Sequence, residues 1–187
     1  MVKRIFDLIL ALTLIILLSI PVLAITLFIK LMSRGPAIFW TDRVGVNNTI
    51  FKMAKFRTMK LNTPQVATHL MKNPQEYLIY GGEFLRKTSL DELPQLFNVL
   101  KGEMSFVGPR PALFNQGDLV ALRTARGVHK LIPGVTGWAQ VNGRDDLPIP
   151  VKVSFDEYYL NHHSFAFDLY ILFLTAIKVI KREGVQH

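Results

Sequence analysis

Hydrophobic residues are distributed unevenly along the chain, and the densest run comes first. Leu8 to Ile29 is uncharged and apolar, bracketed by Lys3, Arg4 and Asp7 on one side and by Lys30 and Arg34 on the other. A run of about 20 such residues matches the ~30 Å hydrocarbon core of a bilayer, so the segment reads as a membrane anchor. It is long for the core of a signal peptide, and its charged flanks do not resemble a cleavage site. Ser19-Ile20-Pro21 interrupts it: Pro21 has no N–H for the Leu17 carbonyl and its ring crowds that group. Hydrocarbon supplies no substitute donor, so a kink or turn follows, with Ser19 placed to bond a freed carbonyl. The halves, Leu8–Leu18 and Pro21–Met32, are each about 17 Å long at ~1.5 Å per residue and reach mid-bilayer. Lys3 and Arg4 before the run and Lys30, Arg34 and Arg43 after it all favour the cytoplasmic side. A re-entrant helix pair satisfies both ends; a kinked single span remains the alternative on this argument alone.

Beyond residue 34 the pattern shortens. Alternation through Ala37–Trp40 and Ile50–Phe56, around the turn-rich Gly45-Val46-Asn47-Asn48, predicts a small β-hairpin. Thr63 to Tyr80 is polar and helical in places, bounded by Pro64 and Pro74. Leu93, Leu96, Phe97 and Leu100 then recur at helical spacing, placing Asp91, Gln95 and Asn98 on a separate polar face, with Gly102 as the stop. Ser89 and Glu92 have capping-box spacing and Pro94 suits a first turn, so Asp91 is predicted near the positive end of this helix. Leu113–Arg126 and Val151–His162 are predicted helices separated by a Pro/Gly-rich stretch, Pro133–Gly143. Phe165–Ile180, interrupted by Asp168 and Lys178, is too short to cross comfortably and is expected under the membrane or in the core. The predicted architecture is mostly α with a small β-hairpin (α+β).

Composition narrows the chemistry. The 187 residues are 50% hydrophobic and carry a net charge of +8, from 22 Lys and Arg against 14 Asp and Glu. Beside a membrane segment this excess favours anionic membrane lipids and phosphate-bearing substrates, and no nucleic-acid partner is expected. There is no Cys, which excludes disulfides, thiolate nucleophiles and Fe–S clusters. The histidines lack metal-ligand spacing, and neither a P-loop nor a G-x-G-x-x-G string occurs.

Cations gather near tight or rigid backbone in four places: Lys55-Phe56-Arg57-Thr58-Met59, Arg86, Gly108-Pro109-Arg110-Pro111, and Gly137-Trp138-Ala139-Gln140-Val141-Asn142-Gly143-Arg144. Arg110 stands between two prolines with fixed φ, so its guanidinium is presented with little backbone entropy left to lose, which suits bidentate phosphate binding. Asp91-Glu92 follows Arg86 closely. Neighbouring carboxylates of this kind cannot flank a glycosidic bond as a glycosidase pair must, about 5–9.5 Å apart.

At these motifs, and in Lys3-Arg4-Ile5-Phe6-Asp7 and Pro133-Gly134-Val135-Thr136-Gly137-Trp138, the chain closely resembles the bacterial sugar transferases, also called small monotopic phosphoglycosyl transferases. The likeness runs through nearly the whole chain and is most specific over Thr88–Pro111. It implies an enzyme that moves a sugar 1-phosphate from a UDP-sugar to a polyprenol (undecaprenyl) phosphate and releases UMP, a first membrane step of capsule, exopolysaccharide or glycoconjugate synthesis. The resemblance makes Asp91 the nucleophile that carries a covalent phosphosugar. It assigns Glu92 to catalysis, with Mg2+ held at Asp91 and Glu92. Lys55, Arg57, Arg86, Arg110, Gln140, Arg144 and Asp156 become substrate-binding candidates. It also implies a re-entrant membrane helix over residues 1–34, broken at Ser19–Pro21, and a catalytic domain with interfacial helices over 35–187, on the cytoplasmic face of the bacterial inner membrane. A homodimer is left open.

Chemistry agrees with this assignment, because Asp and Glu carboxylates are an established type of covalent nucleophile. Two like charges ~4 Å apart repel by about 4 kcal/mol at an effective dielectric of ~20, so attack on a diphosphate demands a metal and arginines. Two departures from relatives stand out. Ile132 occupies a position where many have Arg, leaving that contact to another cation such as Lys130, and the breaker reads Ser-Ile-Pro rather than Ser-Pro. Likeness to capsule-type members around Asn62–Thr68 points to an N-acetylated deoxyhexose. Rival assignments are a membrane-anchored adaptor that uses Asp91-Glu92 as a helix cap, and a polyprenol-linked glycosyltransferase that releases UDP.

Overall fold

Pro21 fixes the shape of the N-terminal apolar segment. The computed structural model describes residues 2–63, 73–143 and 147–181. In it the apolar run forms two helices, α1 (Val2–Leu17) and α2 (Ser19–Met32), that meet at a bend of 61°. Leu18 carries the non-helical dihedrals, and Pro21 falls in the first turn of α2, where its missing N–H costs no internal bond. Ser19 Oγ donates to the Ile16 carbonyl at 2.8 Å, one residue before the Leu17 carbonyl that Pro21 leaves without its donor. Among the described residues no single helix is long and apolar enough to cross a membrane; only taken together does this bent pair reach that length and apolarity, as a broken span or a re-entrant loop would. An exposed stripe, Val2, Ile5, Ile9, Leu12 and Ile16, runs along α1 and continues on α2 as Ile20, Leu23, Leu27 and Leu31. Contiguous apolar faces of this extent belong against lipid or a partner.

Both ends of the pair are held by the remainder of the chain. α1 extends further toward the N-terminus than the uncharged run predicts because Lys3, Arg4 and Asp7 all find partners. Arg4 donates to the carbonyls of Val99 and Leu100 at 2.6 and 2.7 Å. These are the last carbonyls of α4 (Gln95–Lys101), where a cation is favoured. Asp7 accepts from the Phe106 N–H. Lys3 pairs with Asp168 at 2.6 Å and reaches the Val107 carbonyl. At the far end, Arg57 donates to the carbonyls of Ser33 and Arg34.

The predicted hairpin forms as antiparallel β1 (Ile38–Val44) and β2 (Ile50–Phe56), with Ile38 opposite Phe56 and Asp42 opposite Lys52. Asn47 and Asn48 take left-handed φ in its turn, as short amide side chains tolerate. Phe51 and Met53 of β2 enter the main core with Ala11, Leu96, Val99, Met104 and Phe106, and Lys55 follows them on the same face of the strand. A second, parallel pair, β3 (Ser105–Val107) with β4 (Gly134–Thr136), was not foreshadowed by any period in the sequence. It exists because glycines let the backbones close up: a Cβ at Gly108 would sit 2.3 Å from the Ile132 carbonyl oxygen, and one at Gly134 would sit 2.1 Å from the Gly108 nitrogen.

Helices complete the fold: α3 (Gly82–Lys87), α5 (Gly117–Ala125), the short α6 (Trp138–Val141), α7 (Ile149–His162) and α8 (Phe165–Lys181). The last is divided between the two predicted settings. Asp168 and Ile171 are buried, whereas Phe165, Leu169, Tyr170 and Phe173 are exposed next to α1, which meets it through the Phe6–Phe165 ring pair.

α4 is rotated relative to its sequence pattern. Gln95 and Asn98, expected on a polar face apart from the leucines, are buried, and Phe97, expected with the leucines, is half exposed. Asn98 explains the turn. Its amide donates to the Lys52 carbonyl and to Glu103, both at 2.7 Å, and accepts from the Ala54 N–H, satisfying the free edge of β2. Asn98→Ala is therefore expected to destabilise by about 2–4 kcal/mol, because buried groups on β2 lose their partners. Phe97→Ala should cost no more than about 1 kcal/mol. Thermal unfolding in one detergent checks the order, and a larger loss at Phe97 would contradict the rotation.

Candidate active site

The two central carboxylates arise from a local conformation that the capping rules do not describe. Ser89 lies in the left-handed region at φ 56°, makes no capping bond, and leads into a 3-10 turn at Leu90–Glu92. The capping box does not form, and α4 begins only at Gln95, with Pro94 at its cap. The physical reason is competition: the Glu92 carboxylate, which a capping box would commit to the Ser89 N–H, is taken by two cations. Lys55 Nζ of β2 and Arg110 Nη2 donate to the same Oε1 at 2.7 and 3.0 Å. Lys55 also stands 3.8 Å from Asp91 Oδ2, and the Arg86 charge, at the end of α3, acts on both carboxylates. Three cations thus surround two acids that are largely withdrawn from water.

These surroundings separate the acids electrically. Burial pushes the Asp91 carboxyl above its ordinary value, Lys55 opposing and the Glu92 charge adding to the rise, while Arg86 and Arg110 offset part of it. Burial also acts against the Glu92 charge, but Lys55 and Arg110 outweigh it and hold that carboxyl well below the carboxylate range. Neighbouring acids driven in opposite directions are suited to different tasks. Glu92 is a fixed anion that orients cations, while Asp91 is the more basic of the two.

The other candidates disperse. Arg57 is buried against the carbonyls that end α2 and faces the anchor, not the acids. Gln140 of α6 is buried beside Gly137, and neither its Nε2 nor its Oε1 has a hydrogen-bond partner among the described residues. Asp156 of α7 pairs with Arg123 of α5, whose Nε and Nη2 reach its Oδ2 at 2.9 and 2.6 Å. Lys130, the expected substitute for the cation absent at Ile132, is exposed at the end of the turn Val128–Lys130. Arg144 lies outside the described residues, as does most of the Asn62–Thr68 stretch. Sequence reasoning passed over Arg123 because a helical Arg without a motif looks like a surface residue.

Among the described residues, no group of three or more His, Cys, Asp or Glu could hold a metal ion. Mg2+ does not require one, since it is commonly bound by one or two carboxylates together with substrate phosphates, and the Asp91-Glu92 donor set fits that pattern.

Residues 1–182 match the bacterial sugar transferase family. The chain belongs to that family. It is 41% identical over 98% of its length to an uncharacterized sugar transferase, EpsL of Bacillus subtilis, and covers 90% of that protein. It is 44% identical over 95% of its length to a UDP-glucose:undecaprenyl-phosphate glucose-1-phosphate transferase of Escherichia coli, but spans only 40% of that longer protein. It is 36% identical over 97% of its length to the exopolysaccharide production protein ExoY of Sinorhizobium fredii, 87% of which it covers. For this sugar transferase, the shared region takes in every element that shapes the acid pair, from Lys55 to Asp156.

The opposed shifts predict opposed stabilities. A raised Asp pKa means that the charged form costs folding energy above it, so Asp91→Asn should raise Tm at pH 7, with the gain shrinking as pH falls through the Asp91 pKa. A depressed Glu pKa contributes stability above the unfolded value of ~4.3, so Glu92→Gln should lower Tm at pH 7, with the loss fading in acid. Thermal melts of both variants between pH 4 and 8 check the signs; shifts in the same direction would contradict the assignment.

Proposed function

We propose that this protein transfers a sugar 1-phosphate from a UDP-sugar to undecaprenyl phosphate in the bacterial inner membrane and releases UMP. The observation that carries this proposal is Asp91: a buried, basic carboxylate beside a pinned Glu92, faced by Lys55, Arg86 and Arg110. In the first step an Asp91 oxygen attacks the donor's β-phosphorus. The bond from that phosphorus to the bridging oxygen breaks, and UMP leaves with the electron pair. In the second, an oxygen of the acceptor phosphate attacks the same phosphorus, and the acyl–phosphate bond breaks to regenerate Asp91 and give the polyprenol diphosphosugar. Arg110 and Arg86 are placed to bind phosphoryl oxygens and offset the repulsion between Asp91 and the donor. Lys55 keeps Glu92 ionised and in position. Mg2+, held by Asp91, Glu92 and the donor's diphosphate, would supply further neutralisation of the phosphoryl oxygens. The sugar transferase names of the relatives support the overall reaction.

The adaptor alternative loses its support here, since the helix cap it assigns to Asp91-Glu92 is not formed. A buried Asp with a raised pKa costs stability, and function is the reason to retain it.

The bent helix pair is proposed to enter and leave the cytoplasmic leaflet. Arms of about 24 and 21 Å, each inclined by half the 61° bend, penetrate only about 12 Å, well short of the ~30 Å core. Residues at both outer ends, Lys3, Arg4 and Asp7 on one side and Ser33 and Arg34 on the other, hold the same catalytic domain, which a span would place on opposite faces.

Two outcomes are expected. With donor, Mg2+ and undecaprenyl phosphate, the nucleotide released should be UMP, and Asp91→Asn should lower turnover by at least about 10³-fold. Release of UDP would favour a transferase that moves the sugar alone, and native turnover in the variant would remove Asp91 from the chemistry. A cysteine introduced at Val2 should be labelled from the cytoplasmic side of intact membranes; labelling from outside would overturn the re-entrant placement.

A further inference from the structure

We infer that Arg123, locked in place by Asp156, is a positioning residue that sets where the Arg110 guanidinium meets Glu92 and the donor phosphates. This rests on the reaction proposed above but concerns residues that do not face the acid pair.

Arg110 acts from the strap Gly108-Pro109-Arg110-Pro111-Ala112, which leaves β3 and passes the acids. The strap has few donors of its own, because Pro109 and Pro111 lack N–H groups. Its position is therefore fixed through its carbonyls, and four in succession are bonded. The Gly134 N–H donates to the Pro109 carbonyl at 2.9 Å, and Val44 N–H donates to that of Ala112 at 3.0 Å. Arg43 Nη1 donates to Pro111 at 3.2 Å, and Arg123 Nη1 donates to Arg110 itself at 2.8 Å. Pro109, Pro111 and Ala112 are buried and packing holds them, but Arg110 itself is only partly buried. A cavity of about 30 Å3, bordered by Pro109, Arg110, Pro111 and Arg123, lies alongside the strap. Beside that space the Arg123 bond supplies the directional restraint on the Arg110 backbone.

Arg123 suits that role because its fork is committed on its other edge. Nε and Nη2 both donate to Asp156 Oδ2, leaving Nη1 aimed at the Arg110 carbonyl. Asp156 is 1% exposed, so it is the buried end of a chain that runs from α7 through α5 to the strap and on to Glu92. A buried ion pair is weak support for stability, since apolar replacements often do as well. An apolar pair would lack only the donor to the Arg110 backbone. Asp156 thus belongs to the site without touching substrate.

The test is a double-mutant cycle on the full chain in detergent or nanodiscs, reading kcat and KM for the UDP-sugar from nucleotide release, with Tm alongside. Arg123→Gln should reduce donor kcat/KM by about 10–100-fold, the scale expected when a phosphate-binding group is misaimed by an ångström or so. Asp156→Asn should act in the same direction with a smaller effect and covers the case in which Arg123→Gln does not fold. In an Arg110→Ala background both changes should cost less than about two-fold further, because the group they position is gone. Losses that multiply independently of Arg110, or native donor kinetics in both variants, would overturn the inference. Either result would leave UMP release and the requirement for Asp91 untouched, so failure here is distinct from failure of the proposed reaction.

Discussion

A single carboxylate oxygen organises this site. Glu92 Oε1 accepts from Lys55 on the hairpin and from Arg110 on the strap after β3, so two distant pieces of backbone converge on one buried atom. Adjacent acids removed from water are costly unless cations compensate them, and the cations here are distributed unequally. Glu92 receives most of the compensation and becomes a fixed anion. Asp91 receives less and stays basic. The division of labour between two chemically similar residues therefore follows from where Lys55 and Arg110 point, which in turn depends on how β2 and the strap are held.

The same logic connects the anchor to the chemistry. Lys3 of α1 bonds the Val107 carbonyl immediately before the strap, while its partner Asp168 on α8 also accepts from Tyr159 of α7 at 2.6 Å. Arg57, one strand-end away from Lys55, grips the carbonyls that close α2. The two N-terminal helices are thus tied to the two segments that carry Lys55 and Arg110.

What could be read from the sequence was what short-range periodicity and single-residue rules determine. The break before Pro21, the hairpin within residues 37–56 and the helix ending at His162 follow from proline geometry, alternation or a 3.6-residue repeat. Lys55, Arg86 and Arg110 were legible as site residues only jointly, through the motifs that carry them. What escaped depends on partners far away in the chain. α4 turns its polar face inward because Asn98 completes the edge of β2, and Ser89 forfeits its capping role because Glu92 is claimed by residues 37 and 18 positions away. The parallel β3–β4 pair rests on glycine close approach, and Arg123 has no local signature at all.

The central claim is that Asp91 becomes covalently bonded to the donor's phosphorus, and peptide mapping by mass spectrometry addresses it most directly. After incubation with UDP-sugar and Mg2+ but no acceptor, followed by rapid quenching, the peptide containing Asp91 should carry the mass of a sugar phosphate on that side chain. Undecaprenyl phosphate added before the quench should remove the adduct. An active preparation in which every peptide keeps its native mass, or in which the adduct maps to another residue, would contradict the account.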